Sequence, residues 1–312
     1  MYLGIDIGGT SIKSAILDGE SLVDRRTIPT EAHQGVANVL IKLRSLLREY
    51  FGQYPKIRAV GVGVPGVVDS MGNVLISPNF PDWKNIPLLK FLRNYSDVPL
   101  AVENDANAAA LAEMLEGAGR DRDAFIYVTL GTGVGGAIIY RGELFRGSSS
   151  GAGEIGHTII DFNCRTKTRF KYQQGTLEAF LGKHSLISLA KDEAAKDTGS
   201  KLNAKDNFDV ADIYRFALEG DPASRKVLRK AGEILGFGLS SAMNLLDIST
   251  VIVGGGVANA GEMLFDSARK AMRGHLLPPL AEQFELRTAR YLSETGVRGA
   301  ALLGKSLIEN DF

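Results

Sequence analysis

Leu3-Gly4-Ile5-Asp6-Ile7-Gly8-Gly9-Thr10 is an apolar run broken by a glycine turn, and Ile12 to Leu17 takes up a second apolar run directly after it. The stretch reads as strand, tight turn, strand. The pattern returns 123 residues later as Phe125 to Leu130, Gly131-Thr132-Gly133 and Gly135 to Tyr140. Aligned without gaps at that spacing, Gly8 falls on Gly131, Ile16 on Ile139, Gly19 on Gly142 and Glu20 on Glu143. A shared strand, glycine turn, strand and Gly-Glu turn predicts two related halves.

Working outward, Leu22 to Ile28 reads as a third strand ended by Pro29. Val36, Val39, Leu40, Leu43, Leu46, Leu47 and Tyr50 recur at helical spacing and predict an amphipathic helix. Ile57 to Val64 is a buried strand closed by Pro65-Gly66, and 70–97 is rich in Pro and Asn and reads mostly as loop. Val98 to Val102 is a short strand running into Glu103-Asn104-Asp105, followed by an Ala-rich helix to about Glu116. Beyond 182 helices dominate, with a polar excursion or helix-pair tip from Lys191 to Asn207. Asp221-Pro222 starts a long helix reaching about Leu246, with Asp as N-cap and Pro at the first helical position. Thr250 to Val253 is a strand, Gly254-Gly255-Gly256 a turn, Gly261 to Arg273 a helix, and Gly299 to Ile308 a final apolar helix able to pack on the first half. Alternating strands and helices indicate an α/β fold. The expected division is a small N-terminal α/β domain over 1–118, completed by the C-terminal helix in 299–312, and a larger α/β domain over 119–298.

Glycine lets a backbone approach an anion without Cβ interference, and successive N–H groups form a concave anion site. Gly8, Gly9 and Thr10 fit that description. Lys13 on the next strand offsets phosphate charge, and Asp6 at the strand end is suited to hold Mg²⁺ directly or through water. Gly131, Thr132 and Gly133 offer the same chemistry from the second half, so that two such turns can bracket a triphosphate. Gly254, Gly255 and Gly256, after a buried strand and before a helix, suit close approach to a nucleoside. Each turn alone also reads as a plain hairpin turn; three in this order, two related by internal similarity, favour nucleotide binding. No Gly-x-x-x-x-Gly-Lys-Ser/Thr stretch is present and no Gly-x-Gly-x-x-Gly opens a helix after the first strand, which excludes a P-loop and argues against a dinucleotide site.

Asn104-Asp105-Ala106-Asn107 places two short polar side chains at a helix start, which alone reads as a cap. The position is also a strand-to-helix junction, where α/β ligand sites lie. There the helix dipole keeps Asp105 ionised and able to accept a proton from an alcohol. Phosphoryl transfer tolerates so weak a base, because its loose transition state needs the alcohol positioned more than deprotonated early. Asp105 is therefore the candidate catalytic base.

These stretches, with Gly63-Val64-Pro65-Gly66, Ser77-Pro78-Asn79, Glu154-Ile155-Gly156-His157 and Leu177-Glu178, resemble the ROK family of sugar kinases and repressors, specifically its glucokinase-like members. The similarity covers essentially the whole chain. It implies a two-domain actin-like ATPase (ribonuclease H-like) fold with a cleft between the domains, ATP with Mg²⁺ as donor, a hexose as acceptor and a homodimer. It also implies hydroxyl recognition by Asn79, Asn104, Asp105, Glu154, His157 and Glu178, with Gly66 lining the pocket. Carboxylates, an amide and an imidazole can indeed pair with hydroxyls that both donate and accept. Alone, Glu154 and His157 would read as a solvated charge and a structural histidine.

In one respect the chain departs from the family pattern. Members usually hold zinc with the histidine of Glu-x-Gly-His and three cysteines, but the cysteine places here carry Arg169, Lys171 and Thr176. His157 and the displaced Cys164 supply at most two of the four ligands a closed zinc site needs, so no zinc is expected. Phe162, Phe170 and Tyr172 are the candidates for packing the loop instead.

Composition narrows the remaining classes. Lys plus Arg equals Asp plus Glu at 36 each, giving no general pull toward nucleic acid or an anionic membrane. A single cysteine fits a reducing compartment, and no apolar stretch approaches the roughly 18 residues a membrane span needs. A strand-like run from residue 2 leaves no room for a signal peptide, so a cytoplasmic location is expected. Glucose is the favoured hexose, with N-acetylmannosamine, mannose, allose or fructose as alternatives and polyphosphate as a variant donor. From other classes, a sugar-sensing repressor would carry an N-terminal DNA-binding domain and a basic excess, and an actin-like ATPase without sugar transfer would lack the Glu154, His157 and Glu178 cluster.

Overall fold

The computed structural model describes residues 1–309 apart from 79, 81, 165, 167, 169, 170 and 293. In chain order it contains β1 (Tyr2–Ile7), β2 (Ser11–Asp18), β3 (Ser21–Pro29), α1 (Val36–Gln53), β4 (Ala59–Val64), β5 (Val67–Val68), β6 (Val74–Ile76), β7 (Lys84–Ile86), α2 (Leu88–Arg93), β8 (Leu100–Asn104) and α3 (Asp105–Leu115). There follow β9 (Phe125–Leu130), β10 (Val134–Tyr140), β11 (Glu143–Leu144), α4 (Leu177–Leu181), α5 (Lys183–Ala194), α6 (Val210–Leu218), α7 (Pro222–Leu246), β12 (Thr250–Gly254), α8 (Glu262–His275), α9 (Pro278–Ala281), β13 (Glu285–Thr288) and α10 (Thr295–Ser306). No helix among the described residues is long and apolar enough to cross a membrane.

The two halves predicted from the repeat have the same sheet plan. One five-stranded sheet runs β3-β2-β1-β4-β8, the other β11-β10-β9-β12-β13. In each, the first strand turns back through its glycine turn on one side and pairs in parallel with a later strand on the other, β1 with β4 and β9 with β12. Parallel strands covered on both faces carry continuous apolar runs rather than alternation; accordingly all six residues of β4 are buried.

Two compact units result: residues 1–123 with 138–152 and 293–312, and residues 124–137 with 153–292. The division falls inside β10. In the first unit α1 buries Val39, Leu43, Leu46, Leu47 and Tyr50, and they join Leu3, Ile5 and Ile7 of β1 and Val60, Val62 and Val64 of β4 in one apolar core. In the second, Asp221 caps α7 by accepting from Ser224 N at 2.8 Å, as the Asp-Pro start predicts.

Helix α10 crosses β1, β4 and α3 within the first unit. Glycines on both sides bring the backbones together. An added Cβ on Gly4 would lie 2.1 Å from Val297 O, on Gly61 1.8 Å from Ala300 O, and on Gly299 1.8 Å from Ala108 O. Such approach is possible only without side chains. The helix starts at Thr295 rather than Gly299, because its first turn is already needed to cover Gly4.

The segment 70–97 is less of a loop than its composition suggests. It contributes β6 and β7 to a three-stranded sheet with β5, followed by α2. These strands are two or three residues long, below the length at which a period can be read. The stacked pair Phe80 and Trp83, with ring centroids 4.9 Å apart and both rings buried, ties this region into the same apolar core as α1, β1 and β4.

Candidate functional site

In the first unit β1, β4 and β8 are parallel and their C-terminal ends align. Asp6 pairs with Gly63, Gly63 with Glu103 and Val64 with Asn104. Ligand sites of parallel α/β sheets lie at this edge. A Cβ placed on Gly63 would be 3.6 Å from Asp105 Cα and 3.7 Å from Asp6 Oδ1, so Asp6 and Asp105 flank one glycine. Lys13 stands directly across from Asp6 on β2. Burial pushes the Asp6 carboxyl up to about 6, against the smaller pull of the Lys13 ammonium. The first turn of α10 rests on the same carboxylate, a Cβ on Gly296 falling 2.5 Å from Asp6 Oδ2.

The glycine turn after β1 is braced by its neighbours. Gly8 N donates to Ser11 O at 2.9 Å, and the Thr30 hydroxyl donates to Gly8 O at 2.6 Å. Gly9 and Thr10 are exposed.

At the head of α3 the two polar residues divide their work. Asn104 is the cap: its Oδ1 accepts from Ala106 N at 2.9 Å and Asn107 N at 3.0 Å, and its Nδ2 donates to Gly66 O at 2.9 Å. Asp105 is the first helical residue, with Oδ1 2.9 Å from Ala106 N. Since Asn104 already satisfies both amides, the cap does not require Asp105. Gly66 has φ +114°, and its turn presses on Ile76, leaving no room for a side chain. Asn79, expected beside it, lies outside the described residues.

Sequence reading missed what holds this edge. Glu103 is buried, accepting from Asn104 N and Asn107 Nδ2 at 2.9 Å each through Oε1, and from the Arg146 guanidinium at 3.0 Å through Oε2. A buried carboxylate survives only with such pairing. Nothing in the local pattern around Arg146 announces a partner 43 residues away.

In the second unit β9 and β12 end together, Gly254 standing opposite Thr129. Their glycine turns are neighbours: a Cβ on Gly255, whose φ is +84°, would meet Leu130 O at 2.3 Å. A Cβ on Gly131 or on Gly256 would meet nothing within 4 Å, so both turns keep an open side. Gly254 packs against the Tyr127 hydroxyl. Lys183 N donates to the carbonyls of Gly131 and Thr132 at 3.2 Å each. Glu178 meets the other flank, its Oε2 accepting from Val134 N at 2.9 Å. This places Glu178 beneath Gly133, a contact that the sequence did not suggest.

Glu154 and His157 lie on the loop that crosses the start of β10, where Gly156 approaches Val134 O. His157 Nδ1 is 3.2 Å from Glu154 Oε2. The Glu154 carboxylate beside it raises the imidazole above its ordinary value of 6.5; burial opposes the shift, and the charge of Glu178 reinforces it. A folded-state value above the unfolded one makes the protonated pair stabilising below pH 6.5, and this contribution is lost as pH rises through the raised value. Relative to His157→Gln, the wild type is expected to hold an electrostatic advantage of up to about 1 kcal/mol near pH 6 that shrinks as pH rises through the raised value. Urea unfolding near neutrality and in the alkaline range checks this; an advantage independent of pH would contradict it.

Among the described residues of 161–176, hydrogen bonds and a ring contact tie the loop together. Ile160 N and Asp161 N donate to Gly175 O at 2.8 and 3.0 Å, and Gly175 N donates to the Thr166 hydroxyl at 2.7 Å. Thr176, at a family cysteine place, is buried, donates to Gln173 O at 2.8 Å and caps α4. Tyr172 stacks on His157 with centroids 6.0 Å apart. Phe162 does not pack the loop as expected: it is 89% exposed, because the turn at 161–164 points it outward. Phe170 and Arg169 lie outside the described residues.

Comparison with known proteins agrees with this architecture. The chain is 31% identical to a glucokinase of Halalkalibacterium halodurans, over 97% of this chain and 94% of that one. It is 27% identical to the xylose repressor of Bacillus subtilis, over 99% of this chain and 77% of the repressor. Among solved structures, a ROK family glucokinase from Streptomyces griseus in complex with glucose and AMPPNP matches with a TM-score of 0.85 at 30% identity, covering 98% of this chain and 99% of that one. The ROK family itself matches residues 2–306. With nearly its whole length so accounted for, the chain belongs to the ROK family.

Proposed function

We propose that the protein is an ATP-dependent hexose kinase acting on glucose, with Asp105 as the general base. The observation that carries the reading is the pairing of Asp6 and Asp105 around Gly63, at the strand edge where α/β sheets bind ligands, with the capping of α3 left to Asn104. The names of the relatives support glucose as acceptor and ATP as donor.

In this reading the carboxylate of Asp105 accepts the proton of the sugar hydroxyl as the phosphoryl group is transferred. Asn104, already fixed by the helix amides and Gly66, and Asn79 bind neighbouring hydroxyls in the first unit. Glu154, His157 and Glu178 bind hydroxyls in the second, where the Glu154–His157 pair offers both a donor and an acceptor. The backbone of Gly8, Gly9 and Thr10, with Lys13, receives phosphate oxygens. Gly131, Thr132 and Gly133 do so in the second unit, and Gly254, Gly255 and Gly256 lie against the nucleoside.

Asp6 is suited to Mg²⁺: a carboxylate that burial makes costly to ionise gains most from a cation beside it, and Mg²⁺ on a nucleotide asks the protein for only one or two such ligands. When bound, the ion would neutralise charge developing on the phosphates.

Zinc does not fit the residues present. Lys171 offers a cation and Thr176 a hydroxyl committed to capping α4, where a closed site needs thiolates. Elemental analysis of the purified protein is expected to find no stoichiometric zinc; one zinc per chain would contradict the assignment.

A coupled phosphorylation screen across hexoses and N-acetylhexosamines tests the acceptor. Glucose is expected to give the highest kcat/KM, and a clear preference for N-acetylmannosamine would overturn that choice.

A further inference from the structure

We propose that Glu178 is a positioning residue that couples sugar occupancy to the Gly131–Val134 turn, making nucleotide affinity sugar-dependent. The inference rests on the kinase reading above. One short segment grips the turn from two sides. Glu178 Oε2 accepts from Val134 N at 2.9 Å, and a Cβ on Gly133 would lie 2.2 Å from that oxygen, so the turn is seated on the carboxylate. On the other flank Lys183 N donates to the carbonyls of Gly131 and Thr132, and Gly182 packs against Thr132 O. Residues 178 to 183 thus set the height of the turn.

The same segment is tied to the loop carrying Glu154 and His157. Leu177 N donates to Thr158 O at 2.9 Å, and Ile159 bridges to Thr176. Gly156 reaches Val134 O so closely that a Cβ there would be 1.9 Å away. Val134 is therefore held by Glu178 through its N–H and by the histidine loop against its carbonyl. The Glu178 charge is also felt at His157.

A carboxylate has two oxygens and can serve two partners. One lies under the turn; a sugar hydroxyl donating to the carboxylate, or to the adjoining Glu154–His157 pair, orders the group that fixes Val134. A charge-assisted bond to a backbone N–H is the stronger kind, and ordering it in advance lowers the cost of seating phosphates on the turn. Coupling of this kind is reciprocal, and typical values correspond to about 5–150-fold in affinity.

The test is calorimetric titration of a non-hydrolysable ATP analogue with and without saturating glucose, on wild type, Glu178→Ala and Glu178→Gln, beside steady-state KM for each substrate. Wild type is expected to bind the analogue at least about 5-fold tighter with glucose. Glu178→Ala should reduce that gain below about 2-fold and raise the KM for ATP by about 10-fold, beyond any loss of glucose affinity. Glu178→Gln, whose amide oxygen can still accept from Val134 N, should restore sugar-free analogue binding to within about 3-fold of wild type. Gly133→Ala, which sets a methyl against the carboxylate, should also lose the coupling and serves if Glu178→Ala fails to fold. Wild-type coupling in Glu178→Ala or Gly133→Ala, no rescue by Gln, or no glucose effect in wild type would each overturn the proposal. A wild type that binds both ligands yet transfers no phosphoryl group would instead sink the kinase reading.

Discussion

Replacing Asp105 by Asn is expected to lower kcat by at least about 10²-fold while sugar affinity stays within a few-fold of wild type. The amide keeps the size of the side chain and can still face a hydroxyl, but it cannot take the proton. Helix α3 should survive the change, because Asn104 supplies the cap through Ala106 N and Asn107 N. Steady-state kinetics with sugar binding measured by calorimetry separates the two effects. Near-normal turnover would remove Asp105 from the role of base. A parallel collapse of folding would mean that its bond to Ala106 N is structural after all.

The second large effect is on stability. Gly61→Ala and Gly299→Ala are each expected to cost about 3 kcal/mol or more, read as a lowered midpoint in urea or heat. In either case the new methyl would lie 1.8 Å from a backbone oxygen, of Ala300 or of Ala108, and backbone cannot swing aside as a flexible side chain can. Gly52→Ala is the matched control. It sits in α1 with nothing within 4 Å of an added Cβ, so helix propensity should make it neutral or stabilising by up to about 1 kcal/mol. Equal midpoints for all three variants would refute the close crossing of α10.

The chain discloses its fold through features that are local and repeated. The turn at Gly8-Gly9-Thr10 and its counterpart at Gly131-Thr132-Gly133 each follow a buried strand, and the two sheets share one order of strands. Asp221-Pro222 marks the start of α7 because capping is decided within four residues. Asn104 and Asp105 were visible as a pair, but only hydrogen-bond geometry shows which one caps. Contacts made across long stretches of chain were not legible. The grip of Arg146 on Glu103, the bond of Val134 N to Glu178 and the rest of Gly296 on Asp6 join residues 43, 44 or hundreds of positions apart. No period or motif records them. The strands at 67–68, 74–76 and 84–86 escaped for the opposite reason, being too short to carry a pattern.

Glu178 shows how the two kinds of information combine. Family resemblance points to the residue as a sugar contact, whereas its bond to Val134 N ties it to a glycine turn suited to phosphate. In the coupling proposed above, one side chain would face both partners, so that ATP is held productively only when an acceptor is present.

Sugar transfer is separated from idle hydrolysis by ADP formation by the purified wild-type protein with Mg²⁺ and ATP, with and without glucose, while the sugar product is identified by mass. Glucose is expected to raise ADP formation many-fold, with one glucose 6-phosphate formed per ADP. ATP hydrolysis at the same rate with every sugar and with none, and no sugar phosphate, would contradict it.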